Sequence, residues 1–321
     1  MDIVFLILGF VLLILGAGKL VDGASSLAKL FGIPNIVIGL TVVAFGTSSP
    51  ELVVNLIASF NNSSQMVLGN VIGSNIFNVL FILGICSMIY PLTVKSNTTW
   101  LEIPLSLLAG LVVLVVSSDV FLDKTEFDII SKTDGIILFC FFIIFQVYTL
   151  QVAKSGIAED QEQFDTKSFT KLKSVLFIIL GFAGLVAGGE FIVSSAVNIA
   201  KQFGISERVI ALTIVSVGTS LPELATSVVA ARKKNVDIAI GNIVGSNIFN
   251  IFFILGVSVF INPIKVESGN YIDIYMNIFA GVLLFIFIFS GKGRKINKVE
   301  GLILLSLYVV YVLFLIFKGS V

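Results

Sequence analysis

Two acidic side chains stand where apolar residues dominate. Glu51 ends the run Gly46-Thr47-Ser48-Ser49-Pro50-Glu51, and Glu223 ends a near copy, Gly218-Thr219-Ser220-Leu221-Pro222-Glu223, 172 residues later. Glu51 is the only charge between Ile36 and Phe60, a run long enough to cross a bilayer as a helix of about 20 residues or more. A carboxylate at that depth costs about 2.5–3.5 kcal/mol on insertion scales, so it faces a cavity or a partner and marks a function. Pro50 removes a backbone donor and Gly46 loosens the turn before it, which predicts freed carbonyl oxygens beside Glu51. Hydroxyls, loose carbonyls and a carboxylate are the oxygen ligands that hard cations take.

A second motif follows each acidic one. Gly69-Asn70-Val71-Ile72-Gly73-Ser74-Asn75-Ile76-Phe77-Asn78 is copied as Gly241-Asn242-Ile243-Val244-Gly245-Ser246-Asn247-Ile248-Phe249-Asn250. Glu51 lies 11 residues before the predicted turn at Asn62, and Ser74 lies 12 after it. At about 1.5 Å rise per residue, the two share a depth on neighbouring antiparallel helices. Asn70, Ser74 and Asn78 fall at i, i+4 and i+8, on one helix face that can turn towards Glu51. The copy has the same spacing, so the two sets are expected to meet about a pseudo-twofold axis. The resulting box holds two carboxylates, the hydroxyls of Thr47, Ser48, Thr219 and Ser220, two serines and several amides. With no thiol, imidazole or basic group it suits Ca²⁺ or Na⁺ and is poor for zinc or copper. Two carboxylates neutralise one divalent or two monovalent ions, so competition between them is built in.

Helices must carry these residues. Of 321 residues 57% are hydrophobic and only 12% charged, against about 25% in soluble proteins, so the chain reads as an all-α integral membrane protein. Apolar runs predict about ten transmembrane helices, near residues 2–18, 35–60, 66–90, 99–118, 134–152, 174–200, 207–231, 238–262, 271–290 and 299–317. The N-terminal run lacks the features of a cleaved signal and reads as a first span kept in the protein. A polar linker over 153–173 separates a first five-helix repeat (1–152) from a second (174–321). Five is odd, so the second repeat enters from the opposite side: an inverted repeat, with a site expected at the repeat interface. Placing both termini outside puts most of the 20 Lys and Arg residues in inner loops, the linker among them, which predicts a cell (inner) membrane protein of that orientation. Zero net charge argues against nucleic acid as a partner, and the lack of histidine excludes a histidine proton relay.

Other features have plainer readings. Gly69/Gly73 and Gly241/Gly245 read as helix-packing pairs, and Asn70 and Asn242 as either ligands or interhelical hydrogen-bond partners. Glu190 has Gly18 at its repeat position and reads as structural. Asp119, Asp123, Glu126 and Asp128 lack the spacing of a calcium loop and read as a solvated loop. Cys86 and Cys140 read as small core residues.

The paired Gly-Thr-Ser-x-Pro-Glu and Gly-Asn-x-x-Gly-Ser-Asn motifs resemble the α-repeats of the sodium/calcium exchangers, within the cation/calcium antiporter superfamily, over essentially the whole chain. The resemblance is to short, prokaryotic-type members without large regulatory calcium-binding domains. It implies that Glu51 and Glu223 are shared Ca²⁺/Na⁺ ligands and that Thr47, Ser48, Thr219 and Ser220 add oxygens. By the same resemblance Ser74, Ser246, Asn78 and Asn250 complete the sites, and the carbonyls of Ala44 and Ser216 sit where the family binds an outer Na⁺. Some members, potassium-dependent ones included, have an Asp where this chain has Asn250, which sets the resemblance against potassium coupling.

The leading functional reading is Na⁺/Ca²⁺ antiport by alternating access, with Ca²⁺ and Na⁺ as substrates, the lipid bilayer as surroundings and no cofactor. H⁺/Ca²⁺ antiport is the alternative, although the Thr-Ser-x-Pro-Glu form resembles the sodium branch more. A passive cation channel also selects cations with carboxylates, but inverted repeats broken at one depth favour a carrier. An intramembrane acid–base enzyme could use two carboxylates, yet the surplus of hydroxyl and amide ligands serves no such reaction. Oligomeric state is not legible in the sequence.

Overall fold

The computed structural model describes residues 2–155, 168–202, 216–290 and 293–319, almost all of them helical. Eight described helices are long and apolar enough to cross a membrane, and one further span is bent by 46°. In chain order they are α1 (Asp2–Phe31), the bent pair α2 (Asn35–Thr47) and α3 (Ser49–Phe60), α4 (Ser64–Ile89), α5 (Thr98–Val116) and α6 (Lys132–Ser155). The second repeat holds α7 (Lys171–Gln202), then α8 (Ser216–Thr219) with α9 (Leu221–Arg232), α10 (Val236–Ile261), α11 (Asn270–Ser290) and α12 (Lys298–Gly319). Shifted by 172 residues, α2 and α3 fall on the span that ends in α8 and α9. The start of that span, and the linker residues Glu159, Asp160, Glu162, Asp165 and Lys167, lie outside the described residues.

The architecture is all-α, two inverted five-helix repeats, and its symmetry is visible in detail. The predicted turn at Asn62 and its repeat mate at Lys234 take left-handed φ values of 57° and 59°. A Cβ on Gly9 would lie 2.9 Å from the Gly188 carbonyl oxygen, and one on Gly16 would lie 2.8 Å from that of Gly181. Gly9 maps onto Gly181 and Gly16 onto Gly188, so this is one contact seen twice, and it brings the backbones of α1 and α7 together. Two short ladders tie the halves at their loops. Leu92–Thr93 pairs antiparallel with Lys295–Ile296, and Ile129–Ile130 pairs antiparallel with Ile264–Lys265.

Burial separates scaffold from centre. The most apolar windows of α4 and α10 are 72% and 83% buried, whereas those of the other long spans are 17–33% buried. The two helices that carry the Gly-Asn-x-x-Gly-Ser-Asn motifs are therefore the core, ringed by helices whose outer faces are lipid-facing in composition.

Three expectations change. The first span runs to Phe31 instead of ending near 18, because Lys19 does not break the helix: its ammonium lies 4.6 Å from the Phe177 ring centroid. Gly32, at φ 63°, ends it. Cys86 is a buried core residue, but Cys140 is exposed. The inward stripe of α6 is Gly135, Leu138, Phe145 and Thr149, and Cys140 lies across the helix from it. Glu190 is exposed on α7 and has no buried structural role. The acidic loop is solvent-facing as expected, with Asp119 and Asp128 accepting the backbone N–H groups of Ile129 and Val120.

Candidate cation site

Each acidic motif breaks its helix at the same point. Ser48 and Ser220 sit between helical segments with φ/ψ of −83°/7° and −89°/8°, and the prolines occupy the first turn of α3 and α9, where no N–H partner is needed. The break lies at the serine, two residues after Gly46. Gly46 serves another purpose: a Cβ there would fall 1.8 Å from the Phe182 ring of α7. Ala44 opens the last turn before the first break, and its carbonyl accepts from the Ser48 N–H at 3.0 Å. Ser216 opens the corresponding helix α8.

The breaks turn the serines across the repeat boundary. Ser48 Oγ donates to Glu223 Oε1 at 2.8 Å, and Ser220 Oγ donates to Glu51 Oε1 at 2.9 Å. In sequence each serine belongs with its own glutamate; in space each is bonded to the other repeat's. Ser220 Oγ also lies 3.0 Å from Ser74 Oγ, whose hydroxyl supplies that hydrogen because the one on Ser220 is used on the carboxylate. Ser246 Oγ donates to Glu223 Oε1 at 3.4 Å. Glu51 and Glu223 are 1% and 0% exposed, so this polar knot is closed from the surroundings.

The threonines and the first asparagines form an outer ring. Thr47 Oγ1 donates to Asn242 Oδ1 at 3.0 Å, and Thr219 Oγ1 donates to Asn70 Oδ1 at 3.3 Å. These bonds give Asn70 and Asn242 an interhelical hydrogen-bond role. Gly241 and Gly245 allow the approach: Cβ atoms there would lie 2.9 Å from the Ile36 carbonyl oxygen and 2.7 Å from that of Leu40.

Asn78 and Asn250 lie where sequence periodicity gave no warning of irregularity. Both fall at the start of π-helical segments, Phe77–Ile82 and Phe249–Leu255, at matching repeat positions. Such widened turns recur at functional sites. Asn78 Nδ2 donates to Asn247 Oδ1 at 2.9 Å, and Asn250 Nδ2 donates to Asn75 Oδ1 at 3.0 Å. Asn75 and Asn247 stand in the motif as written, but nothing in their spacing distinguishes them from packing residues.

One set of atoms bears on the chemistry of the box. Glu51 Oε2, Glu223 Oε2, Asn78 Oδ1 and Asn250 Oδ1 are buried and accept no hydrogen bond from any described residue. All four are acceptors, and they come as two symmetry-matched pairs. Asn55 Oδ1, one turn beyond Glu51, is another such oxygen. Buried acceptors without donors are costly, and a cation satisfies them without needing donors. No Lys or Arg does this among the described residues, whose salt bridges are Lys95–Asp237 and Lys233–Asp22, with partly exposed partners. These five atoms are all oxygen, the ligand type that hard cations take, while the further partnerless atom of the motifs, Asn70 Nδ2, is a nitrogen donor.

A multi-pass membrane protein whose inverted halves meet in such a box is built as a secondary carrier, not an enzyme. The family model for "Sodium/calcium exchanger protein" matches residues 1–151 and 173–317, and the chain belongs to that family, whose members are cation/Ca²⁺ antiporters. It is 34% identical to the inner membrane protein YrbG of Escherichia coli (strain K12), over 95% of this chain and 94% of that one. It is 32% identical to the sodium/calcium exchanger MaX1 of Methanosarcina acetivorans, over 98% and 99%. Solved structures of the sodium-calcium exchanger NCX_Mj match it with a TM-score of 0.82 at 32% identity, covering 97% of both chains.

Proposed function

We propose that this protein exchanges Na⁺ for Ca²⁺ by alternating access, with Glu51 and Glu223 as the shared ligands. The observation that carries this reading is the symmetric group of four donorless oxygens, Glu51 Oε2, Glu223 Oε2, Asn78 Oδ1 and Asn250 Oδ1, in a box crossed by the Ser48–Glu223 and Ser220–Glu51 bonds. Ca²⁺ neutralises both carboxylates at once. Na⁺ ions neutralise them by occupying the same oxygens, so one ion type must leave before the other binds. An unloaded box carries two uncompensated charges in an apolar setting, and that penalty opposes reorientation without cargo. Ser74 and Ser246, Thr47 and Thr219, and the carbonyls of Ala44 and Ser216 complete the places for more than two monovalent ions. In the cell the protein is assigned to the inner membrane with both termini outside, the orientation that the Lys and Arg distribution favours.

Two carboxylates without basic partners can also carry protons, so H⁺/Ca²⁺ exchange is the competing reading. Radiolabelled Ca²⁺ uptake into Na⁺-loaded proteoliposomes separates the two. Uptake is expected with an outward Na⁺ gradient and is expected to be lost when K⁺ or a proton gradient replaces it. Uptake driven by the proton gradient alone would assign the protein to proton coupling.

A further inference from the structure

Asn75 and Asn247 follow the serines of the two Gly-Ser-Asn segments and are 1% and 3% exposed. Asn75 Nδ2 donates to the backbone carbonyl of Asn247 at 3.1 Å, and Asn247 Nδ2 donates to that of Asn75 at 3.5 Å. A backbone carbonyl can only accept, so these two bonds decide which end of each amide is nitrogen. Each Oδ1 must then accept. Asn75 Oδ1 takes the Nδ2 of Asn250 at 3.0 Å, and Asn247 Oδ1 takes the Nδ2 of Asn78 at 2.9 Å. With their nitrogens engaged, Asn78 and Asn250 can present only oxygen on the other branch of the amide, and those oxygens are two of the four without a donor.

We infer that Asn75 and Asn247 are positioning residues, and that each repeat aims the ligand oxygen of the other. Asn75, in the first repeat, orients Asn250; Asn247, in the second, orients Asn78. Neither needs to touch the ion. Without Asn75, the two ends of the Asn250 amide are no longer distinguished, and a flipped amide turns an NH₂ group towards the cation. This inference rests on the proposed cation site and adds to it the residues that set its polarity. Groups that orient a ligand in this way typically change ion affinity by about 10–100-fold when removed.

The test is a pair of crossed mutant cycles on the full-length protein, purified in detergent, with Ca²⁺ affinity measured by titration calorimetry. Asn75→Ala should weaken Ca²⁺ binding by about tenfold or more. In an Asn250→Ala background the same change should have almost no further effect, whereas in an Asn78→Ala background it should keep its full effect. Asn247→Ala should show the mirror pattern: silent with Asn78→Ala and fully additive with Asn250→Ala. If the alanine at 75 prevents folding, Asn75→Leu keeps the side-chain volume and removes the same acceptor. Equal losses in both backgrounds would mean a general structural role and overturn the assignment, as would no loss in either. A wild-type protein that binds no Ca²⁺ would remove the proposed function itself, and the positioning role with it.

Discussion

Ser48 Oγ and Glu223 Oε1 are 2.8 Å apart, although 175 residues separate them in the chain. With its mirror, Ser220 to Glu51 at 2.9 Å, this bond makes the centre of the molecule a shared property of both repeats. Neither half supplies both partners of either bond. A movement of one repeat against the other therefore changes the surroundings of both carboxylates together, as a carrier that couples two ions requires.

Glu51→Gln and Glu223→Gln should each abolish Ca²⁺ exchange in proteoliposomes while leaving the protein inserted and monodisperse. Each change halves the negative charge of the box, so a divalent ion is no longer neutralised. Exchange near the wild-type rate in either variant would show that the carboxylates are not shared ligands.

Ser48→Ala and Ser220→Ala remove one donor from the carboxylate of the opposite repeat. Each variant loses a bond to a charged group, worth about 1.5–3 kcal/mol of stability, and with it an oxygen proposed as an ion ligand, so weaker Ca²⁺ binding is expected from each. The twofold relation predicts similar losses for the two variants in Ca²⁺ titrations. A large effect from one and none from the other would mean that the repeats do not contribute equally.

Gly16→Val places a branched side chain where a Cβ already lies 2.8 Å from the Gly181 carbonyl oxygen. Overpacking of this kind costs about 1–3 kcal/mol. The variant should melt at a lower temperature in detergent than wild type, and Gly188→Val, its repeat mate, should melt similarly. An unchanged melting temperature would mean that α1 and α7 separate without cost.

Orientation is tested by labelling. A cysteine in the 153–172 linker should react with an impermeant reagent only from the cytoplasmic side, and one near Val321 only from outside; most of the linker and Val321 itself lie outside the described residues. The opposite pattern would invert the assignment.

Exchange should be driven by Na⁺ and should carry net charge. The family resemblance suggests three Na⁺ for each Ca²⁺, and the box has neutral hydroxyl, carbonyl and amide oxygens beyond its two carboxylates. One net charge crossing the full potential is worth about 2.3 kcal/mol per 100 mV, so an inside-negative potential should promote Ca²⁺ extrusion. Clamping proteoliposomes with K⁺ and valinomycin at constant Na⁺ and Ca²⁺ gradients measures this. A flux that ignores the potential would indicate electroneutral two-for-one exchange.

Much of this protein was legible in one dimension. A charge inside an apolar run is conspicuous, two such charges in copied motifs at one offset imply a repeat, and an odd number of spans per repeat implies its inversion. Given the turn at Asn62, the shared depth of Glu51 and Ser74 follows from helical rise alone. Tertiary structure decided the rest, because it depends on contacts between residues far apart in the chain. The pairing of Ser48 with Glu223 rather than with Glu51 is set by two helix breaks facing each other. The bonds of Asn70 and Asn242 to the threonines of the opposite repeat are set by the same meeting of the halves. The outward face of Cys140 follows from which side of α6 meets its neighbours, which apolar content does not reveal. The orientation of Asn78 and Asn250 depends on two further asparagines, and their role exists only where two backbone carbonyls, 172 residues apart, determine which way an amide can point.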